Sequence, residues 1–305
     1  MKLAPSPLVI ATSTNAKYAL GAFAALKSAL IHSPPTIDVI QVFVLDGGLS
    51  RRQWKSMSEG LDQVGKNIKL ERIVPDLSIF KELPRDYGNS LMAYARLALP
   101  WMLSTEIKRL LYFDSDIVFL REWSALWNVD LGKSLVAAAV CPVVQTLQRE
   151  NLPLNELGLP PDAPYLQSGI MVMDLDRWRD QQISEHAVKY LTRFPSNARY
   201  WDQSALNAVL LGQWLEIAEE WNMAAFRYRE LTSGQKGSVG VIHYTGPQKP
   251  WHFNKSKDEC NAFFFQQLEN TVWKKWRPSR IRSHLRFLKY IADQFCEKIG
   301  TLRRF

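Results

Sequence analysis

The 305-residue chain is poor in cysteine: Cys141, Cys260 and Cys296 lie far apart and form no CxxC pair. That excludes a disulfide framework, gives no zinc-binding spacing and suits a reducing compartment. No apolar run reaches the ~18 residues of a membrane-spanning helix, and no low-complexity tract or internal repeat interrupts the chain. The opening MKLAPSPLVIAT has one lysine and an apolar stretch broken by prolines, and reads as a first strand rather than a signal peptide. Acidic residues are nearly missing from one end. Residues 271–305 hold ten Lys and Arg against only Asp293 and Glu297, whereas residues 1–270 hold 28 of each sign. The net charge of +8 therefore belongs to the tail, which points to a partner of its own.

What remains is a body with 47% hydrophobic residues, ample for a large core. Strand-like runs occur at 7–12, 39–46, 68–74, 109–114, 134–140 and 168–175. Most are continuous Val/Ile/Leu segments, the pattern of strands covered on both faces. Helical segments at 16–32, 50–63, 90–99 and 201–211 alternate with them. This predicts an α/β fold with a mainly parallel sheet flanked by helices, whose ligand sits beyond the carboxyl ends of the strands. The expected division is a catalytic body at 1–255 and a helical basic tail at 256–305.

One such strand end carries a pair of carboxylates. In LYFDSDIVFL (111–120), RLLYF approaches as a buried strand and SDIVFL leaves as a second extended segment, so Asp114 and Asp116 sit at the rim of the core. Two carboxylates there suit a hard dication, Mg²⁺ or Mn²⁺, held against a diphosphate. The same letters fit a phosphatase of the haloacid dehalogenase type, in which the first Asp is a nucleophile. That motif normally opens its fold and needs a later acidic pair, and this chain has no Asp-Asp dipeptide. A second pair, Asp174-Leu-Asp176, reads as a strand end followed by a helix cap at Asp176.

Four other stretches carry polar groups at element ends. YARLAL (94–99) puts Arg96 on a short helix. YLQSGIMVMDLDRW (165–178) enters a buried strand through Gly169, which either starts the strand or marks close approach to a ligand. YWDQSALN (200–207) places Asp202 and Gln203 at a helix start, where Asp202 would also serve as an N-cap. VIHYTGPQKPWH (241–252) ends a strand at His243 and turns through Gly246 to Lys249. His243 there fits a third metal ligand or a structural role, and Lys249 would reach a phosphate.

Together with LWNVDLG (126–132), these motifs resemble, in order and spacing, the retaining glycosyltransferases of family 8, in particular bacterial lipopolysaccharide α-galactosyl- and α-glucosyltransferases. The resemblance spans roughly residues 8–252. It implies a GT-A, Rossmann-like fold and transfer of galactose or glucose from a UDP-sugar to a glycan acceptor. By that likeness Asp114, Asp116 and His243 hold Mn²⁺ or Mg²⁺, with Ser115 between the carboxylates on the donor side. Ala11, Ser13 and Asn15 would line the nucleoside, Arg96 and Gln167 the donor, and Gly246 and Lys249 the diphosphate. Asp202 and Gln203 would face the donor sugar as the catalytic pair, with Gln203 near the reacting carbon. Two positions depart from the family pattern. Ser13 stands where an Asp usually contacts uracil, and Gln167 stands where an Asn is usual. An alternative from another class is a catalytically idle protein that only binds sugar nucleotides.

The tail, WKKWRPSRIRSHLRFLKYIADQFCEKIG, sets Ile281, Leu285, Leu288, Ile291, Phe295 and Ile299 at helical spacing among cations, with Trp273 and Trp276 ahead of them. This predicts an amphipathic helix on an anionic membrane surface, with the tryptophans at the interface. The same charge suits nucleic acid, but the neutral body offers no matching patch. The expectation is a peripheral protein on the cytoplasmic face of a bacterial inner membrane, with a lipid-linked oligosaccharide acceptor.

Overall fold

A computed structural model describes residues 8–85, 90–252 and 258–279, together with 281, 283, 285 and 288. Among the described residues, ten strands form two sheets. They are β1 (Leu8–Thr14), β2 (Ile40–Asp46), β3 (Ile68–Ile73), β4 (Arg109–Phe113), β5 (Ile117–Phe119), β6 (Val136–Ala138), β7 (Ile170–Asp174), β8 (Trp214–Glu216), β9 (Met223–Ala224) and β10 (Val241–His243). The larger sheet has the order β3-β2-β1-β4-β7-β6-β8, and the smaller β5-β10-β9. In the larger, β3, β2, β1 and β4 run parallel, β7 runs antiparallel between β4 and β6, and β8 is parallel to β6. The sheet is mainly parallel and flanked by helices, as the alternation predicts.

The six strands read from apolar runs all form, with ends shifted by a residue or two. Strands β8 and β9 are not legible beforehand, because segments of two and three residues are too short to show a period. The helix Ile183–Arg193 also goes unread in the sequence. One cap moves. The helix predicted to begin at Arg177 begins at Leu175, and Asp174, not Asp176, is its cap: the Arg177 amide donates to Asp174 Oδ1 at 3.0 Å. Asp174 keeps extended backbone and its short carboxylate reaches into the first turn, so strand passes to helix without a loop. Asp176 instead pairs with Lys108 at 2.7 Å.

The helix Ala19–Ile31 is central. Ten of its thirteen residues are buried, so it is apolar on nearly all sides, as a helix packed between layers must be. Its alanines lower the cost of helix formation and allow close approach. Buried Ser28 ties it to the small sheet: its hydroxyl accepts from the Phe119 amide at 3.0 Å and donates to the Ala25 carbonyl at 2.9 Å. That hydroxyl satisfies an edge N–H of β5 which β10, on the other side, does not reach.

The core continues past residue 255. Cys260, Phe264 and Leu268, on or just after the helix Glu259–Gln267, belong to the same apolar cluster as the Ala19–Ile31 helix. Lys27 Nζ donates to the Gln267 and Glu269 carbonyls at 2.8 and 2.9 Å. Trp273 meets Phe23 edge-on at 4.7 Å, and Trp276 is half-buried against the same cluster. The two tryptophans expected at a membrane interface therefore anchor the segment after the helix to the body, because the apolar wall beside Phe23 offers them cover. Ile291, Phe295 and Ile299, and the cations beyond Ser279, lie outside the described residues.

Ser28→Ala is expected to leave the Phe119 amide buried and unpaired and to destabilise the fold by about 1–3 kcal/mol. Urea denaturation checks it, and an unchanged midpoint would show that the β5 edge does not depend on this hydroxyl.

Candidate active site

The loop Asp114-Ser115-Asp116 is the crossing between the two sheets. β4 delivers Asp114, whose amide donates to the Gly169 carbonyl at 2.8 Å, and β5 carries the chain away. The Asp116 carbonyl accepts from the Tyr244 amide at 2.8 Å. β5 pairs antiparallel with β10, opposing Ile117 to His243. Strand register alone thus brings a residue 127 positions further along the chain beside the DxD loop. His243 Nε2 lies 3.4 Å from Asp116 Oδ1 and 3.9 Å from Asp114 Oδ2, and one ligand atom from each of the three lies within 4.8 Å of the others. Two carboxylate oxygens and an imidazole nitrogen, all converging, fit a hard or borderline dication.

Buried charge here is compensated residue by residue. Arg96, 6% exposed, pairs through Nη2 with Asp114 Oδ1 and through Nε with Asp202 Oδ2, each at 2.8 Å. Its Nη1 donates to the Ser168 carbonyl at 2.5 Å, and its guanidinium stacks over the Tyr112 ring at 4.7 Å. Burial works against its charge, yet Asp114 and Asp202 hold it above the ordinary arginine value. Lys249 pairs with Asp116 and donates to the Tyr244 carbonyl at 2.5 Å. Burial opposes ionisation of Asp116 too, but the Lys249 ammonium beside it holds its carboxyl well below the usual range. Burial pushes the Asp114 carboxyl up despite Arg96.

These residues line a cleft of about 680 Å³. Of the predicted site residues, Ser13, Asn15, Arg96, Asp114, Ser115 and Asp116 line it. Gln167, Asp202, Gln203, His243, Gly246 and Lys249 line it as well. Ala11 does not: it is fully buried in the middle of β1, two residues short of the strand end where Ser13 opens on the cleft. Ser13 Oγ lies 2.8 Å from the Tyr112 hydroxyl, which reaches on to Asp114 Oδ1 at 3.2 Å. Asn15 Oδ1 accepts from the Lys17 amide at 2.9 Å, closing the turn after β1. Gly246 has φ +74°, a left-handed conformation that favours glycine and lets the chain turn back toward Lys249.

Asp202 is the first residue of the helix Asp202–Val209 but not its cap, since the backbone before it carries the turn and its carboxylate is committed to Arg96. Trp201 precedes it with φ 50° and ψ −116°, a conformation costly for a bulky residue and held by the packing around it. Gln203 Oε1 accepts from the Ser168 amide at 3.1 Å, which sets the amide against the turn leading into β7. Gly169 marks close approach to a protein side chain: a Cβ there would lie 2.2 Å from His243 Cε1. The sequence offers no signal for Tyr112, Trp201 or Asn222, which sit in apolar or unpatterned stretches; Asn222 is 2% exposed and its Oδ1 lies 2.8 Å from His243 Nδ1.

The description Glycosyl transferase family 8 matches residues 9–255. The chain belongs to that family. It is a glycosyltransferase with the GT-A arrangement, which replaces the phosphatase alternative. It is 28% identical over 248 residues to General stress protein A of Bacillus subtilis (strain 168), covering 77% of this chain and 84% of that one. It is 30% identical over 205 residues to the lipopolysaccharide 1,2-glucosyltransferase of Escherichia coli (strain K12), covering 64% of this chain and 59% of that enzyme. Its fold matches a crystal structure of the galactosyltransferase LgtC in complex with donor and acceptor sugar analogs, with a TM-score of 0.73, 23% identity and coverage of 88% and 99%.

The wall of the site behind Gln203 contains a buried carboxyl. Ser204 Oγ accepts from the Tyr200 amide at 2.9 Å and donates to buried Glu150 Oε1 at 2.7 Å. Burial pushes the Glu150 carboxyl up to about 7, beyond what Ser204 offsets. Its folded value exceeds its unfolded one, so the folded state binds more protons between the two, and stability falls as pH rises through that window. Glu150→Gln is expected to flatten this slope and to raise the melting temperature at pH 8 relative to the unaltered protein. Parallel stability curves from pH 5 to 8, read by calorimetry, would rule out Glu150 as the titrating group.

Proposed function

We propose that this glycosyltransferase is metal-dependent and retaining, and that it moves galactose or glucose from a UDP-sugar to a lipopolysaccharide-type glycan. The observation that carries this reading is the convergence of Asp114, Asp116 and His243 at the floor of a cleft that also holds Arg96, Gln203, Gly246 and Lys249. Asp114, Asp116 and His243 would hold Mn²⁺ or Mg²⁺, which when bound supplies positive charge to a diphosphate leaving group. Lys249 would add a donor to the same phosphates once released from Asp116. The bond from the anomeric carbon to the diphosphate oxygen breaks. The acceptor hydroxyl oxygen forms the new bond on the same face, and its proton passes to the departing phosphate oxygen.

Two features support a front-face route over double displacement. Gln203 carries an amide, a poor nucleophile, and Asp202 is 3% exposed and bound to Arg96, so its carboxylate is already engaged. The Ser13 and Gln167 departures both line the cleft, where they would meet the base and the sugar. The likeness to the lipopolysaccharide 1,2-glucosyltransferase of Escherichia coli supports this acceptor class.

Attachment to a membrane surface is part of the proposal. No helix among the described residues is long and apolar enough to cross a membrane. Along 281–288 the described positions are helical, and Ser283 turns inward, its hydroxyl donating to the His252 carbonyl at 3.1 Å. Ile281, Leu285 and Leu288 are 75%, 61% and 52% exposed and follow exposed Lys274, Lys275 and Arg277 in the chain. An outward apolar stripe that follows cations suits an anionic leaflet, such as the cytoplasmic face of the inner membrane where a lipid-linked acceptor would lie.

Asp114→Ala and Asp116→Ala are each expected to lower release of sugar from UDP-galactose or UDP-glucose at least about 100-fold, as does EDTA on the unaltered enzyme. Undiminished release in EDTA overturns metal dependence, and no release by the unaltered protein favours an idle nucleotide-sugar binder. A covalent glycosyl adduct on Asp202, detected by mass spectrometry in Gln203→Ala, would overturn the front-face route. Replacing Ile281, Leu285 and Leu288 together by serine is expected to abolish co-sedimentation with phosphatidylglycerol vesicles while keeping donor turnover. Unchanged sedimentation removes the membrane reading.

A further inference from the structure

His243 Nδ1 faces two side-chain amides, and only one arrangement of their atoms is consistent. Nδ1 lies 2.8 Å from Asn222 Oδ1 and 3.1 Å from Gln167 Nε2. The Gly169 amide, a donor whose direction the backbone fixes, donates to Gln167 Oε1 at 2.8 Å. Gln167 therefore presents its oxygen at that corner, and its NH₂ group points toward the histidine. The same Gln167 oxygen accepts from Asn222 Nδ2. This settles the second amide in turn: Asn222 turns its NH₂ to Gln167 and its oxygen to His243. An oxygen at 2.8 Å from Nδ1 requires a proton there, and it wins over the longer contact to the Gln167 NH₂ group.

We propose that Asn222 fixes the tautomer of His243, with the proton on Nδ1 and the lone pair of Nε2 toward Asp114 and Asp116. Asn222 is a positioning residue: it touches neither the carboxylates nor the cleft, and it acts through the imidazole and through Gln167, to which it donates. The chain of constraint runs from the Gly169 backbone through Gln167 and Asn222 to the ring. All three side chains are buried, at 7%, 2% and 3% exposure, so water does not compete for these bonds. Gly169 also leaves room for the ring, since any Cβ there would collide with Cε1. The longer reach of Gln167 has a use in this scheme, because one oxygen serves both the Gly169 amide and Asn222. Without the Asn222 oxygen, the Gln167 NH₂ would face Nδ1 as the nearest polar group and favour the opposite tautomer, with the proton on the nitrogen that faces the carboxylates.

The inference rests on the reading of Asp114, Asp116 and His243 as metal ligands, and its test separates the two. Long-range ¹H–¹⁵N correlation spectra of histidine-labelled, metal-free full-length protein at pH 8 report which ring nitrogen carries the proton. The His243 signals are assigned by their loss in His243→Asn. The Nδ1–H form is expected to dominate in the unaltered protein, and an Nε2–H form would overturn the proposal. In Asn222→Ala the population is expected to move toward Nε2–H, and Mn²⁺ alone, titrated by electron paramagnetic resonance, is expected to bind about 10–100-fold more weakly. An Asn222→Ala protein that melts like the parent, keeps the Nδ1–H form and binds Mn²⁺ within about twofold would also overturn it. If Asn222→Ala does not fold, the spectrum of the unaltered protein decides alone. Failure of the unaltered protein to bind Mn²⁺ would sink the metal reading, and the tautomer would still decide the role of Asn222.

Discussion

Everything in this site depends on holding three carboxylates close together out of water. Asp114, Asp116 and Asp202 are set around one corner of the cleft, and an isolated carboxylate placed there would not stay ionised. Two cations answer them from opposite sides. Arg96, on the helix Ala95–Met102, bridges Asp114 and Asp202, and Lys249, on the turn after β10, takes Asp116. Three potential negative charges face two fixed positive ones. The balance leaves room for one more positively charged partner, the place that the proposed dication would take. It also explains why neither Arg96 nor Lys249 is replaceable by a neutral residue of the same size: removing one partner of a buried pair strands the other, at a cost of about 3–5 kcal/mol.

The fold earns this arrangement through a seam. The DxD loop is where the chain leaves the larger sheet and joins the smaller, so its two carboxylates are fixed by two independent hydrogen-bond ladders. Asp114 is registered by β7 through the Gly169 carbonyl, and Asp116 by β10 through the Tyr244 amide. His243 sits on β10 and Gln203 against the turn into β7, so the same ladders that hold the carboxylates also hold their neighbours. The helix Ala19–Ile31 braces the seam from behind through Ser28 and β5. Rigidity in a site of this kind comes from crossed backbone ladders more than from side-chain packing, because ladder spacing tolerates little drift.

Much of this was legible in the residues and some was not, for definite reasons. Continuous apolar runs identify buried strands, and a polar pair directly after such a run must lie at a strand end; hence β1 to β4, β7 and the placement of Asp114 and Asp116. His243 was readable because VIH ends a strand in the same way. Pairing was not readable. Nothing in VIHYTG states that β10 runs antiparallel to β5, and that pairing is what makes His243 a neighbour of the DxD loop. Ala11 shows the opposite failure: it belongs to the right strand, but side chains open on the cleft only at the strand end, so Ser13 reaches it and Ala11 does not. The tryptophans at 273 and 276 were read as interfacial, and they pack against the body instead, because a Trp among cations suits a wall of protein as well as a lipid surface. Asn222 gave no signal because a single amide in an unpatterned stretch acquires meaning only from what the fold sets beside it.

The outward apolar stripe raises a physical question that the half-buried tryptophans sharpen. A helix docked on a protein body normally turns its apolar face inward. Here the aromatic anchors end at Trp276, and the following helical positions invert the rule: Ser283 bonds to the body while Ile281, Leu285 and Leu288 face out. Sequence spacing alone would have allowed the opposite rotation. The anchors therefore do more than attach the segment. Trp273 and Trp276 pin the chain just before the described helical positions where Ile281, Leu285 and Leu288 face out, so under the proposed membrane attachment they would orient the catalytic body on the surface. A flexible basic tail would give attraction without orientation, whereas a docked one with an apolar outer stripe gives both.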